Sequence, residues 1–376
     1  MKILIVDQYY PQALLKIGNA QSKVSCYRMS HEVLIKTRFS TSDFYSKGLE
    51  KNKCEAIEVI INDNKSQRFW VKENGGIHLS PIEQFIDTNF ISRFKQISDR
   101  FATIEQFKII DKQIDSYKPD VIYLQNISYL NPIFLYLIKK KVRLVVGQIA
   151  CPMPPKIFFK PYDLIITSFP HYIKKIRDYG INCKYLPLCF EKTILKEIGA
   201  KKRKYDVTFV GGISRSHKNG LNTLKYVSKH TKIDVWGYGK EILDAKSSLY
   251  KRHHGEAWGL DMYKVLLQSK ITINRHIDVS EKYANNMRLF EATGCGTLLI
   301  TDEKVNLKDL FEIGKEIVTY KDDKDLVKKI RYYLAHEKER AKIAKAGQQR
   351  TLNDHNYSAR MRQLLKIIKN EYYTQN

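Results

Sequence analysis

Acidic residues are in short supply in this chain. Its 376 residues include 40 aspartates and glutamates against 65 lysines and arginines, a formal charge of +25 at neutral pH. A surplus of that size fits an anionic partner: nucleic acid, an anionic membrane face or a phosphorylated substrate. Part of it is ordinary solvated surface, as an AT-rich coding sequence inflates lysine. The basic residues are dispersed and no nucleic-acid-binding module is recognisable, so a nucleic-acid partner is not expected. Cysteine is also sparse. The six cysteines are scattered, with no CxxC pair and no clustered histidines, which argues against a structural zinc site or a disulfide framework and for reduced thiols. No window reaches the roughly 18 apolar residues of a membrane span. The most apolar stretch, 127–138, contains Asn131-Pro132 and meets Lys139-Lys140-Lys141; it is predicted to be a loop plus a short helix. Met1-Lys2 leads directly into Ile3–Asp7, too short for the apolar region of a signal peptide. A cytoplasmic protein is the expectation.

What is present is a globular composition, 43% hydrophobic, in a chain long enough for two cores. Strands are predicted at 3–6, 54–61, 121–124, 142–146 and 164–167, with helical stretches over 42–51 and 91–117. After a polar, basic run at 199–204, a second series begins, with strands at 207–210, 233–236, 271–274, 297–300 and 316–320 and a helix over 261–268. Helices are expected in the tail: one capped by Asp325, then 337–350 and 357–372. Strands separated by helices imply parallel βαβ units. The expected architecture is α/β, with two Rossmann-like, doubly wound parallel-sheet domains facing each other across a cleft. Domains are expected over 1–195 and 205–355, with 356–376 a helix able to cross back to the first.

Ligands of such sheets bind at the carboxyl ends of strands. In the first half this singles out Asp7-Gln8-Tyr9-Tyr10, Gln125-Asn126, Gln148 and Ser168–His171. In the second, the strand 207–210 breaks at Gly211-Gly212 and continues through Arg215, His217 and Lys218 into a helix. Glycine lets a phosphate approach the backbone, and a helix start offers unpaired N–H donors; an ordinary turn needs paired glycine just as much. The stretch Asn285–Gly296 places Glu291 near a helix start. There it can accept hydrogen bonds from the vicinal hydroxyls of a ribose, while Asn286 and Arg288 reach a diphosphate or sugar hydroxyl. Equally, Glu291 is a favourable charge at a helix N-terminus, with Arg288 its solvated neighbour.

The segment NMRLFEATGCGTLLITD (Asn286–Asp302) resembles the donor-binding signature of group 1-like GT-B glycosyltransferases, and more specifically the spore-maturation-type (CgeB-like) family. The similarity extends through Leu310-Phe311, Gly314–Val318, Glu339-Arg340 and His355–Arg360, and upstream to Phe209–Gly212 with His217 and to Ile273–His276. The resemblance implies a GT-B fold with a nucleotide-sugar donor in the C-terminal half and an acceptor in the N-terminal half. Glu291 would hold the ribose. Gly211, Gly212 and Arg215 would lie near the diphosphate, and the loops at Trp236–Gly239 (with Gly237 and Tyr238) and Trp258-Gly259 near the base. His276 and Asn274 close a matching strand, and His276 is expected to contact phosphate or sugar. One departure stands out: many retaining relatives carry a second glutamate where this chain has Tyr283, and Glu281 is out of register.

Bond cleavage builds negative charge on the leaving diphosphate. Arg215, Arg288 and the Gly211-Gly212 amides are expected to stabilise it without a metal or other cofactor; Asp322-Asp323 is expected to be a turn and cap. For an inverting reaction, Asp7, Asp43 and His171 are the candidate bases. The expected activity is transfer to a polysaccharide, glycolipid or other cell-surface glycan. The basic runs at 139–143, 174–177 and 201–204 suit either docking on the inner face of an anionic membrane or solvated surface. Alternatives are another GT-B enzyme acting on nucleotide sugars, such as an epimerase, and a basic nucleic-acid-binding protein.

Overall fold

The computed structural model describes residues 1–85, 87, 102–214 and 218–374. Arg215 and His217 lie outside the described residues, as does most of the first part of the helix predicted over 91–117. The chain divides into two compact units, Met1–Leu186 with Met361–Asn376, and Pro187–Arg360.

In the first unit six parallel strands, β1 (Lys2–Asp7), β2 (Glu55–Ile60), β3 (Val121–Leu124), β4 (Leu144–Ile149), β5 (Leu164–Thr167) and β6 (Asn182–Tyr185), lie in the order β2-β1-β3-β4-β5-β6. Every residue of β3 and β5 is buried, as expected of parallel strands covered on both faces. The edge strand β6 was not foreseen. Its sequence NCKY has only Cys183 turned inward, so it shows no apolar run. The helix Ile104–Tyr117 begins with a capping box between Thr103 and Gln106, which satisfies two otherwise unpaired N–H groups. From Met361 the helix Tyr357–Thr374 is part of this unit; Met361, Leu364 and Ile368 are buried, and the Tyr372 hydroxyl lies 3.4 Å from Asp120 Oδ1.

The second unit contains β7 (Tyr205–Val210), β8 (Asp234–Trp236), β9 (Ser269–Asn274), β10 (Leu298–Asp302) and β11 (Val318–Tyr320), all parallel, in the order β11-β10-β9-β7-β8. Its core joins Val207, Val235, Ile271, Ile273, Leu298 and Ile300 of the strands to Leu224, Val227, Leu326 and Ile330 of the helices. Two expectations need correction. Asp322, not Asp325, caps the helix Asp323–Ala335, accepting from the Asp325 N–H; Asp325 sits in the first turn, paired with Lys329 at 2.7 Å. The run 199–204 ends in a fixed anchor, because Arg203 donates to the Leu267 and Ser269 carbonyls at 2.8 and 2.7 Å and to the Gly296 carbonyl. Among the described residues no helix is long and apolar enough to cross a membrane.

Candidate active site

Each sheet reverses its strand order once, between β1 and β3 in the first unit and between β7 and β9 in the second. At such a point the connections leave in opposite directions and open a crevice beyond the strand ends. In the second unit that crevice is an open depression. It is lined by Gly212 and Ile213 after β7, by Gly220 and Leu221 of the helix Lys218–His230, and by Arg275 and His276 after β9.

The glycines of this region act first on one another. Gly211 N donates to Trp236 O at 2.8 Å and Ile213 N to Tyr238 O at 2.9 Å, so the loops after β7 and β8 are clasped backbone to backbone. A Cβ on Gly237, whose φ is +149°, would stand 2.0 Å from the Gly211 carbonyl oxygen, and one on Gly212 2.0 Å from the Tyr238 ring. Only glycine permits this approach. The amides of Gly211 and Ile213 are therefore engaged within the protein. Of the two amides expected to meet a phosphate, Gly211 and Gly212, that of Gly211 is thus already bonded to the Trp236 carbonyl.

The signature around Glu291 is likewise held from within. Asn286 caps the helix Met287–Gly294, its Oδ1 accepting from Leu289 N at 3.2 Å, while its Nδ2 donates to Asn274 Oδ1 at 2.8 Å. Asn274 in turn donates to Thr301 Oγ1 at 2.9 Å. Both asparagines thus spend their side chains on fixing the helix to β9 and β10, where Asn286 was expected to reach a ligand. Arg288 is no solvated neighbour. Its Nε donates to the Val210 carbonyl at 3.0 Å and its Nη1 pairs with Glu291 Oε2 at 2.9 Å. Glu291 is buried, and burial pushes its carboxyl up against the opposing pull of Arg288 and a hydrogen bond from Tyr263.

His276 is fully enclosed. Asp302 Oδ1, at the end of β10, lies 2.7 Å from its Nδ1 and accepts from its backbone N–H at 3.0 Å. Burial alone would raise the Asp302 carboxyl. The His276 hydrogen bond and the Lys304 ammonium, 3.6 Å from Oδ2, more than offset this and hold it below its ordinary range. Arg275 donates to Thr223 Oγ1 at 3.1 Å. Tyr263 and Thr223 carried no sequence signal of a role, and Asp302 entered only as the last residue of the signature, with no role of its own; each lies far along the chain from the groups it contacts.

In the first unit the strand ends bring together Asp7, Thr41 and Gln125. Thr41 Oγ1 donates to Asp7 Oδ2 at 3.1 Å, Gln8 N to Asp7 Oδ1 at 2.7 Å, and Gln125 Nε2 to Thr41 Oγ1 at 2.8 Å. Burial lifts the Asp7 carboxyl to about 6. Glu58, which the sequence did not single out, is lifted by burial to about 8 although Ser46 donates to it. Asp43 stands between Arg38 and Lys47, at 2.6 and 2.5 Å, so its charge serves an ion-pair cluster. His171 packs its ring against Phe169 and Tyr172, with centroids 5.2 and 4.6 Å away. Among the described residues no three His, Cys, Asp or Glu side chains gather as a metal site.

Residues 215–366 match the family model described as glycosyl transferase-like. The fold is similar to that of Anabaena Alr3699/HepE, solved in complex with UDP-glucose (TM-score 0.62, 11% identity, covering 98% of this chain and 100% of that one). It is also similar to sucrose-phosphate synthase from Thermosynechococcus elongatus (0.57, 10%, all of both chains) and to a glycosyltransferase from Rickettsia africae ESF-5 (0.56, 13%, 98% of both). The chain has the GT-B fold, and its residues 215–366 match a glycosyl transferase-like family. A comparison with the sequences of curated proteins gives no match. The family match covers β8 to β11, and within it lie the Asp302–His276 and Arg288–Glu291 pairs.

Proposed function

We propose that this chain is a glycosyltransferase of the spore-maturation-type (CgeB-like) branch and takes a sugar from a nucleotide-sugar donor held by the second unit. The first unit receives the acceptor, a polysaccharide, glycolipid or other cell-surface glycan. The observation carrying this reading is the depression beyond β7 and β9, where a helix start, Arg275 and the buried His276 converge, with the buried carboxyl of Glu291 in the same unit. Helix N-termini attract phosphate, and a buried carboxylate suits a ribose diol. HepE is described in complex with UDP-glucose, which supports a donor of that class.

In this reading the diphosphate leaves against fixed cations and backbone dipoles, without a metal or other cofactor. Asp7 takes the acceptor proton, because a carboxyl lifted to about 6 is a better base near neutral pH than an ordinary aspartate. The enzyme works in the cytoplasm, on the inner face of the membrane. Support for that location comes from the charge of +25 and from exposed Ile133, Tyr136 and Leu137 next to Lys139-Lys140-Lys141.

A thermal-shift and calorimetry panel of UDP-, GDP-, TDP- and CMP-linked sugars tests the donor class. Saturable binding of one family is expected, and its absence across the panel overturns the reading. Epimerisation of the bound donor without an acceptor would point to an epimerase instead. Asp7→Asn should lower kcat at least about 100-fold with donor affinity unchanged. Binding to phosphatidylserine vesicles that fades with salt would bear out the membrane location; equal binding to neutral vesicles would oppose it.

A further inference from the structure

His276 is one of the most enclosed polar groups of the second unit, its side chain wholly shielded from solvent, yet one of its ring nitrogens has no partner. Nε2 makes no hydrogen bond among the described residues, and the residue lines the depression at the switch point. Buried polar atoms left unpaired in a protein are few and call for an explanation. The other nitrogen is tightly specified. Asp302 Oδ1 receives Nδ1 at 2.7 Å, the His276 backbone N–H at 3.0 Å and the Thr301 hydroxyl at 3.3 Å.

An ionised carboxylate only accepts hydrogen bonds, so the proton of a neutral imidazole is fixed on Nδ1. Nε2 then carries the lone pair, in a residue that lines the depression. A lone pair repels a phosphate oxygen and requires a donor. In a nucleotide sugar such donors are the N–H groups of the base and the hydroxyls of the ribose and of the sugar to be transferred; with the base expected at the loop 236–239 and the ribose at Glu291, the transferred sugar is the one left for His276. Lys304 supports the arrangement from the far side: its ammonium lies 3.6 Å from Asp302 Oδ2 and also donates to the Glu281 carbonyl. This ties the end of β10 to the segment after β9.

We propose that His276 accepts, through Nε2, a hydrogen bond from a hydroxyl of the transferred sugar, and that Asp302 is the positioning residue that fixes this polarity. His276 thereby selects for the sugar and leaves the nucleotide to other groups. The inference rests on the reading that the second unit binds a nucleotide sugar.

The test compares, by calorimetry, each parent nucleotide of the UDP-, GDP- and TDP-linked members of the panel with its nucleotide sugar. His276→Phe and Asp302→Ala should each lose about tenfold in nucleotide-sugar affinity, the size of one good hydrogen bond, while affinity for the parent diphosphate holds. Asp302→Asn should recover most of the loss, because the amide oxygen still accepts from Nδ1–H. Nucleotide sugars with a single hydroxyl replaced by fluorine, which cannot donate, should show a similar loss at one position with the unaltered protein and none with His276→Phe. That measurement needs no folded Asp302 variant. An equal loss for diphosphate and nucleotide sugar would overturn the proposal, as would an Asp302→Asn variant as weak as Asp302→Ala, since charge rather than polarity would then matter. If the unaltered protein binds neither ligand, the nucleotide-sugar reading itself falls; if it binds both and no fluorinated analogue discriminates, only the role of His276 falls.

Discussion

At the carboxyl end of β1 and in the middle of β2, Asp7 and Glu58 are buried with neutral hydrogen-bond donors, Thr41 and Ser46. At the carboxyl end of β10 and in the helix Met287–Gly294, Asp302 and Glu291 are buried with basic partners, His276 and Arg288. The two sheets share a topology and differ in how they keep carboxyls out of water. Neutral donors leave desolvation dominant, so Asp7 and Glu58 are lifted to about 6 and about 8. Basic partners compensate: Asp302 is held below its ordinary range and Glu291 is raised only against the pull of Arg288. The first arrangement stores protons near neutral pH; the second holds fixed charge.

The contrast breaks most severely at Glu291. Glu291→Ala leaves Arg288 buried with its partner gone and should cost about 3–5 kcal/mol of stability in a denaturant titration. Glu291→Gln keeps the shape and should cost less, while still weakening donor binding in calorimetry. If Glu291→Ala unfolds no more readily than the unaltered chain, the pair is not the buried unit described.

Glu58 tests the other side. The folded chain holds a proton on Glu58 up to about pH 8, whereas an ordinary glutamate releases it near 4.5. Its contribution to stability is therefore complete below about pH 4.5 and is lost as pH rises through about 8. The slope should approach about 1.4 kcal/mol per pH unit within that window. Glu58→Gln should flatten the stability curve there, and an unchanged slope in urea titrations from pH 5 to 8 would remove Glu58 from the account.

The clasped loops give a smaller effect. Gly237→Ala drives a Cβ against the Gly211 carbonyl and should destabilise by about 1–3 kcal/mol. Gly212→Ala meets the Tyr238 ring, which can turn aside, and should cost less. The reverse order in thermal melts would mean that the ring, not the backbone, is the rigid element. Smallest of all is Lys47→Ala. It removes a half-exposed partner of Asp43 while Arg38 remains, and should stay within about 1 kcal/mol.

Much of the fold was legible because parallel strands buried on both faces are written as short apolar runs; β3 and β5 match their predicted limits. The edge strand β6 has one inward residue and could not be read that way. The stretch Asn286–Asp302 was also legible as a motif, but not what its residues do locally. Asn286 and Asn274 form a bracket, and the glycines serve loop against loop. Such contacts join residues that only the folded sheet brings side by side. The roles of Asp302 and Glu58 were invisible for the same reason: their significance lies in burial and in the partner facing them.

The first unit is completed only by residues from Met361 onward. A ribosome therefore makes the strands of that sheet first and its closing helix last. The second unit, contiguous over Pro187–Arg360, is available to fold whole while the first still waits for its final helix. The unit begun first is thus the one completed last.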